Sequence, residues 1–272
     1  MSYNLLKGKK GIIFGALDEN SIAWKVALKA KEEGASFTLT NAPIAMRMGV
    51  INKLAEECGS VVIPADATSI EDLESLFDKS TEALGGKIDF ILHSIGMSPN
   101  VRKGREYGDL NYDWYLKTLD ISALSFHKIM QTAEKKDAMN EWGSIVALSY
   151  IAAQRVFPDY TDMADAKATL ESIARTYGYR FGQSKKVRVN TISQSPTSTT
   201  AGKGISGFNV FMDFAEKMAP LGNADADDCA AYVISLFSDL TKKVTMQNLF
   251  HDGGFSSTGI TSALMDKLSK DS

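Results

Sequence analysis

Two kinds of hydrophobic pattern alternate along the chain. Short apolar runs rich in β-branched residues are each followed by a longer stretch whose apolar positions recur at helical spacing. The first run is KKGIIFGA (9–16). The first amphipathic stretch is SIAWKVALKAKEEGA (21–35), with Ile22, Val26 and Ala30 on one face and Gly34 as its stop. The order then repeats: strand 36–40, helix 45–59, strand 60–66, a helix over 69–86 that opens on a serine cap and early acids, and strand 87–96. A polar connection to about Asn111 leads into a long helix over roughly Asp113–Lys136. After it come a strand at 143–149, a helix from Asp159 to about Phe181, a strand at 186–193, a helix near Asp225–Ser238 and a last strand within 245–254. Strands apolar on both faces, alternating with helices, predict a parallel sheet covered on both sides, a doubly wound α/β fold. No Pro/Ser-rich linker or shift in composition divides residues 1–272, so a single domain is expected.

Composition narrows the function classes. The hydrophobic fraction of 44% suffices for a sizeable core, and a net charge of -3 leaves no basic footprint for nucleic acid. Cys58 and Cys229 stand far apart, and His93, His127 and His251 are dispersed. That argues against a disulfide framework or a metal site and suits a reducing, cytoplasmic setting. The opening MSYNLLKGKK lacks an apolar signal core, and no run approaches the length of a membrane span.

In such a sheet ligands sit beyond the carboxyl ends of the strands, and the chemically interesting residues fall there. After the first strand, Gly15 permits a tight turn and Ser21 can cap a helix whose N-terminal amides favour an anion such as a pyrophosphate; Asp18 and Glu19 count against a phosphate directly over the loop. The second strand ends without an acid for a ribose 2′-hydroxyl and without an adjacent basic pair for a 2′-phosphate, although Arg47 lies a few residues on. Asp66, after the third strand, is read either as an acceptor for an adenine amino group or as a helix cap. Ser94, Ile95 and Gly96 follow the fourth strand, where backbone must come close to a ligand. The fifth leads into LSYIAAQRVFPDYTDMADAK (148–167), with Tyr150 at the strand end and Lys167 seven residues after Tyr160. On a helix that spacing is about two turns, which puts Tyr160 and Lys167 on one face about 10 Å apart. An ammonium near a phenol favours the phenolate and eases proton exchange.

These residues resemble the short-chain dehydrogenase/reductase superfamily, and more closely its enoyl-acyl-carrier-protein reductases of bacterial type II fatty acid synthesis. Ordinary superfamily members place lysine four residues after the tyrosine. Here that position is Ala164 and the spacing is Tyr-x6-Lys, as in the enoyl reductases. The resemblance spans nearly the whole chain, through NLLKGKKGIIFGA, SIA, HSIG, LSY, VRVN and DGGFS. It implies a single Rossmann-type domain with a substrate-covering loop near 195–219. It implies a nicotinamide cofactor held by Gly15, Ser21, Ile22, Asp66, Ala67, Ser94, Ile95, Gly96 and Lys167, with Pro196, Thr197 and Thr199 folding over the nicotinamide. The pattern leans towards NADH and leaves NADPH as the alternative.

The implied reaction passes a hydride to the β-carbon of a trans-2-enoyl thioester carried on acyl carrier protein. Tyr160 then serves the developing enolate oxygen, Lys167 the ribose, and Tyr150 lines the acyl pocket or assists Tyr160. Met97, Tyr150, Met163, Phe208 and Phe211 are the candidate acyl contacts, and the glycine-rich AGKGISGF (201–208) reads as a lid. A homotetramer is also implied. Two departures stand out: Ser195 replaces the family's glycine, and Thr197 an apolar residue. Two competing readings are a carbonyl reductase of the same superfamily, with Ser149 as its catalytic serine, and a non-catalytic NAD(P) sensor. The lysine spacing disfavours the first, and retention of both Tyr160 and Lys167 the second.

Overall fold

The computed structural model describes residues 2–47, 50–200 and 208–271. Seven parallel strands form one sheet: β1 (Lys10–Phe14), β2 (Ser36–Thr40), β3 (Val61–Val62), β4 (Ile88–His93), β5 (Met139–Ser149), β6 (Arg188–Gln194) and β7 (Asn248–His251), in the order β3-β2-β1-β4-β5-β6-β7. The side-chain period of two sorts each strand between two cores. Ile12 and Phe14 of β1, with Ile145 and Ala147 of β5, face α4 (Ile70–Ala83), α7 (Ser125–Lys135) and α8 (Thr161–Lys185). Ile13 of β1, with Val146 and Leu148 of β5, faces α1 (Ile22–Glu32), α3 (Val50–Cys58) and α10 (Ala226–Phe237). Both faces are thus covered, as the apolar strands predict.

Between β1 and β4 the strand order reverses, and the chain leaves these two strands in opposite directions across the sheet. That opens the crevice in which ligands of such sheets sit. The other α-helices of the described residues are α2 (Pro43–Met46), α5 (Pro99–Arg102), α6 (Tyr112–Leu119), α9 (Phe208–Met218) and α11 (Ser262–Asp271).

The structure departs from the sequence pattern at several elements. The helix expected over 45–59 is two pieces, α2 and α3, with residues 48–49 outside the described residues. The single helix expected over 113–136 is α6 and α7 joined by a π-helical turn, Asp120–Leu124. Such a turn inserts a residue into the helix and is often found at functional sites. The helix expected from Asp159 starts at Thr161 and continues to Lys185. Within the covering loop expected near 195–219, residues 208–218 are helical, with Phe208, Phe211, Met212, Ala215 and Met218 at helical spacing. Residues 201–207, most of the expected lid, lie outside the described residues. The helix α11 has no counterpart in the sequence reading. No helix of the described residues is long and apolar enough to cross a membrane, and they contain no cluster of groups able to hold a metal ion.

Candidate active site

A cavity of about 580 Å³ opens at the carboxyl ends of the strands, at the crevice between β1 and β4. Gly15, Ser21 and Ile22 line it after β1, Ser94 to Met97 after β4, Tyr150 after β5, and Ser195, Pro196, Thr197 and Thr199 after β6. Lys167, Met163 and Tyr160 enter from α8 and the turn before it, Phe208 and Phe211 from α9. Of the cofactor, catalytic and acyl contacts that the resemblance implies, all reach this one cavity except Asp66 and Ala67, which are not among its walls.

At the β1 end, Gly15 has φ +92°, and a Cβ there would lie 2.1 Å from the carbonyl oxygen of Ser94. Only glycine lets the ends of β1 and β4 meet so closely. Ser21 occupies the N-cap position of α1 but does not cap it. Its hydroxyl instead donates to the Asp18 carbonyl at 2.7 Å and accepts from the Leu17 amide, closing the loop before the helix. The Trp24 amide donates to the Ser21 carbonyl, which leaves the first two amides of this 11-residue helix, those of Ile22 and Ala23, to face an anion beside Gly15. Asp66 is likewise no cap. Ser69 caps α4 by accepting from the Asp72 amide, while Asp66 accepts from the amide and hydroxyl of Thr68.

Tyr160 is not on α8, as the spacing argument assumes. It ends a short 3-10 turn, Pro158–Tyr160, and the chain enters the helix through Thr161 at φ 29°. Lys167, one turn and a half into α8, still reaches the same space, because a Cβ on Gly96 would sit 3.8 Å from its Nζ. The rings of Tyr160 and Tyr150 lie 5.0 Å apart. Burial pushes the Tyr160 phenol well above its ordinary range. Tyr150 is raised by burial and, less, by Tyr160. Burial thus favours the neutral phenol, against the expectation that Lys167 favours the phenolate.

Lys167 is 7% exposed and donates to the Leu148 carbonyl at 2.7 Å. Burial lowers it to about 8, while Glu171 acts in the opposite sense. The buried Glu171 carboxylate accepts from Ser149 Oγ at 2.7 Å and from Gln154 Nε2 at 3.0 Å. Ser149 thus spends its hydroxyl on Glu171, which disfavours the carbonyl-reductase reading that needs it beside the tyrosine.

Several walls are not signalled by the sequence reading. Asn41 and Ala42 follow β2, Val101 and Arg102 come from α5, and Ile121 from the π-helical turn. The strand-end rule alone points to Asn41, since it is the first residue after β2. Gln194, at the end of β6, also lines the cavity and ties three segments together: it accepts from His251 Nδ1 at 2.7 Å and donates to the Ala224 carbonyl at 2.9 Å and to Thr197 Oγ1 at 3.3 Å. Ser195, in place of the family's glycine, accepts from the Ala224 amide. Thr197 donates to the Ser195 carbonyl. Both departures therefore serve to brace the turn. Thr200 Oγ1 reaches across to Asp18 at 2.5 Å, joining the β6 loop to the β1 loop. Arg47 is exposed at the end of α2 and is not a wall of the cavity.

The residues present fit a dinucleotide: an uncapped helix start beside Gly15 for the pyrophosphate, and a buried ammonium at the far end opposite Gly96 for ribose hydroxyls. Comparison with known proteins agrees. The model of the enoyl-(acyl carrier protein) reductase family matches residues 15–256. The enoyl-[acyl-carrier-protein] reductase [NADH] FabI of Rickettsia bellii is 37% identical over 262 residues, covering 95% of this chain and 98% of its own. The enoyl-[acyl-carrier-protein] reductase [NADH] 2 of Rhizobium meliloti is 33% identical over 257 residues, covering 94% of each chain. The crystal structure of a FabI–NADH complex from Alistipes finegoldii superposes with a TM-score of 0.94 at 69% identity, covering 95% of this chain and 92% of that one. With the strand-end cavity, the Tyr-x6-Lys spacing and these matches along almost its full length, the chain belongs to the enoyl-acyl-carrier-protein reductase family.

Proposed function

We propose that this chain reduces trans-2-enoyl thioesters, carried on acyl carrier protein, to the saturated acyl thioesters, the last reduction of fatty acid elongation, with NADH as reductant. The observation that carries the reading is the convergence of Tyr160 and Lys167 on one cavity whose other end is the uncapped start of α1. NADH bound along that line supplies the hydride that adds to the β-carbon. The protein's part is to place the thioester and to meet the negative charge that develops on its oxygen. Tyr160, a phenol that burial holds further in its neutral form, donates a hydrogen bond to that oxygen. Lys167, held by the Leu148 carbonyl, presents its ammonium to the ribose hydroxyls. Gly15, Ser21 and Ile22 hold the pyrophosphate end, Ser94 to Gly96 the middle, and Pro196, Thr197 and Thr199 the nicotinamide. Met97, Tyr150, Met163 and Phe208 form the acyl slot, with Phe211 beside Phe157, the rings 5.8 Å apart.

NADH is preferred to NADPH because the end of β2 offers Asn41 and no basic pair, and Arg47 is not at the cavity wall. The relatives named above carry NADH in their names, which supports the same choice. We place the protein in the cytoplasm, where two buried free thiols persist and acyl carrier protein is found. We also read it as a homotetramer: β7 is an open sheet edge and carries Phe250 at 41% exposure, and open apolar edges are ordinarily covered. Steady-state turnover of a crotonyl thioester, followed by loss of reduced-nicotinamide absorbance, tests the activity. Turnover with NADH well above that with NADPH is expected, and no turnover with either would refute it.

A further inference from the structure

Asp162 lies two residues beyond Tyr160 and is fully buried. Among the described residues, no cation pairs with it in an ion pair. Its carboxylate instead accepts from neutral donors on two other elements, α5 with its cap and α6. Ser98 Oγ donates to Oδ1 at 2.6 Å; Asn100 Nδ2 and Thr118 Oγ1 donate to Oδ2 at 2.9 and 2.8 Å. Thr161 Oγ1 adds a longer contact to Oδ1 at 3.3 Å. Ser98, Asn100 and Thr118 are themselves buried. Ser98 also accepts from the Val101 amide, and Asn100 exchanges hydrogen bonds with the backbone of Asn111. The carboxylate therefore fastens the first turn of α8 to α6 and to the segment 98–111.

Two features direct this fastening at the chemistry. The residue between Tyr160 and Asp162 is Thr161, buried at φ 29° and ψ −124°. A β-branched residue is strained there and holds that geometry only when its surroundings over-determine it. The residue after Asp162 is Met163, another wall of the cavity. Tyr160 precedes α8: its amide donates to the Phe157 carbonyl at 3.0 Å within the 3-10 turn, and the anchored turn that follows holds it from the other side.

We propose that Asp162 is a positioning residue for Tyr160: its buried carboxylate locks the strained Thr161 turn and so aims the phenol at the thioester oxygen. This rests on the reading of Tyr160 as the donor to that oxygen. Removing one acceptor from a network whose members are all buried leaves a donor facing a donor, and small displacements of a group acting in the transition state cost rate out of proportion to their size.

A double-mutant cycle tests it, read by turnover of a crotonyl thioester at saturating NADH. Asp162→Asn is expected to lower kcat by at least about tenfold, with NADH affinity by nicotinamide fluorescence near wild type. In a Tyr160→Phe background the same substitution is expected to lower kcat no further, because the group it aims is gone. Thr118→Val removes one donor while leaving the carboxylate in place. It carries the same test if Asp162→Asn fails to fold, with a smaller loss that also vanishes beside Tyr160→Phe. If Tyr160→Phe impairs turnover but Asp162→Asn or Thr118→Val lowers its residual rate by the same factor as in wild type, Asp162 acts independently of Tyr160 and the proposal is overturned. Wild-type kcat in both network variants overturns it equally. If Tyr160→Phe turns over like wild type, the role of Tyr160 and the proposal fall together.

Discussion

At the scale of residues, the site depends on what burial does to two groups. Burial favours the neutral Tyr160 phenol, which can donate to a developing oxyanion, so Tyr160→Phe should remove about 3 kcal/mol of transition-state stabilisation, a loss of roughly 10²-fold in kcat. NADH affinity should be unchanged, which fluorescence titration alongside steady-state kinetics will show. Lys167 is depressed by burial to about 8, with Glu171 acting against that shift, so its ammonium is present below that pH and lost above it. NADH affinity should therefore fall as pH rises through about 8. Glu171→Gln should move the midpoint lower, because the charge that raises Lys167 is removed. A pH series of NADH titrations on both proteins checks the direction; a midpoint unmoved or raised by Glu171→Gln would show that Glu171 does not govern that ammonium.

The Tyr160–Lys167 pair is legible in sequence because its spacing is local. The direction of the Tyr160 shift is not, because desolvation depends on what the core beneath α8 and Tyr150 at the β5 end bring around the ring. Gln194 is illegible for the same reason. Its partner His251 lies at the end of β7, 57 residues away in the chain.

At the scale of elements, the strands and most helices follow from the apolar pattern, and the misreadings gather where helices begin, break or cover the site. The π-helical turn at Asp120–Leu124 leaves no mark in a sequence that reads as one continuous amphipathic helix, yet it brings Ile121 to the cavity. The helix α9 is hidden behind the glycine-rich run before it. Its apolar face packs with Ile151 and Phe255 as a separate small core, so the covering element is held by its own contacts.

The meeting of β1 and β4 is the most restrictive junction. Gly15→Ala sets a methyl against the Ser94 carbonyl at a backbone geometry that disfavours any side chain. It should cost about 2 kcal/mol or more and lower Tm by roughly 4–8 °C for a domain of this size. NADH binding should weaken with it. Thermal unfolding and fluorescence titration of the variant test both, and a wild-type Tm would mean that the two strand ends can move apart freely.

At the scale of the whole molecule, the doubly wound architecture is legible because it depends on the alternation of patterns along the chain. The assembly is not, since no residue pattern specifies which exposed apolar positions meet a second copy. If the open β7 edge is covered by other subunits, light scattering at micromolar concentration should give four times the chain mass, and a monomer mass would remove that reading. The chemistry is decided by incubating the protein with a crotonyl thioester and NADH and identifying the product by mass spectrometry. The butyryl thioester is expected, two hydrogens heavier with the thioester intact, formed in step with NADH oxidation. An unreacted enoyl thioester, or a product reduced at the carbonyl, would contradict it.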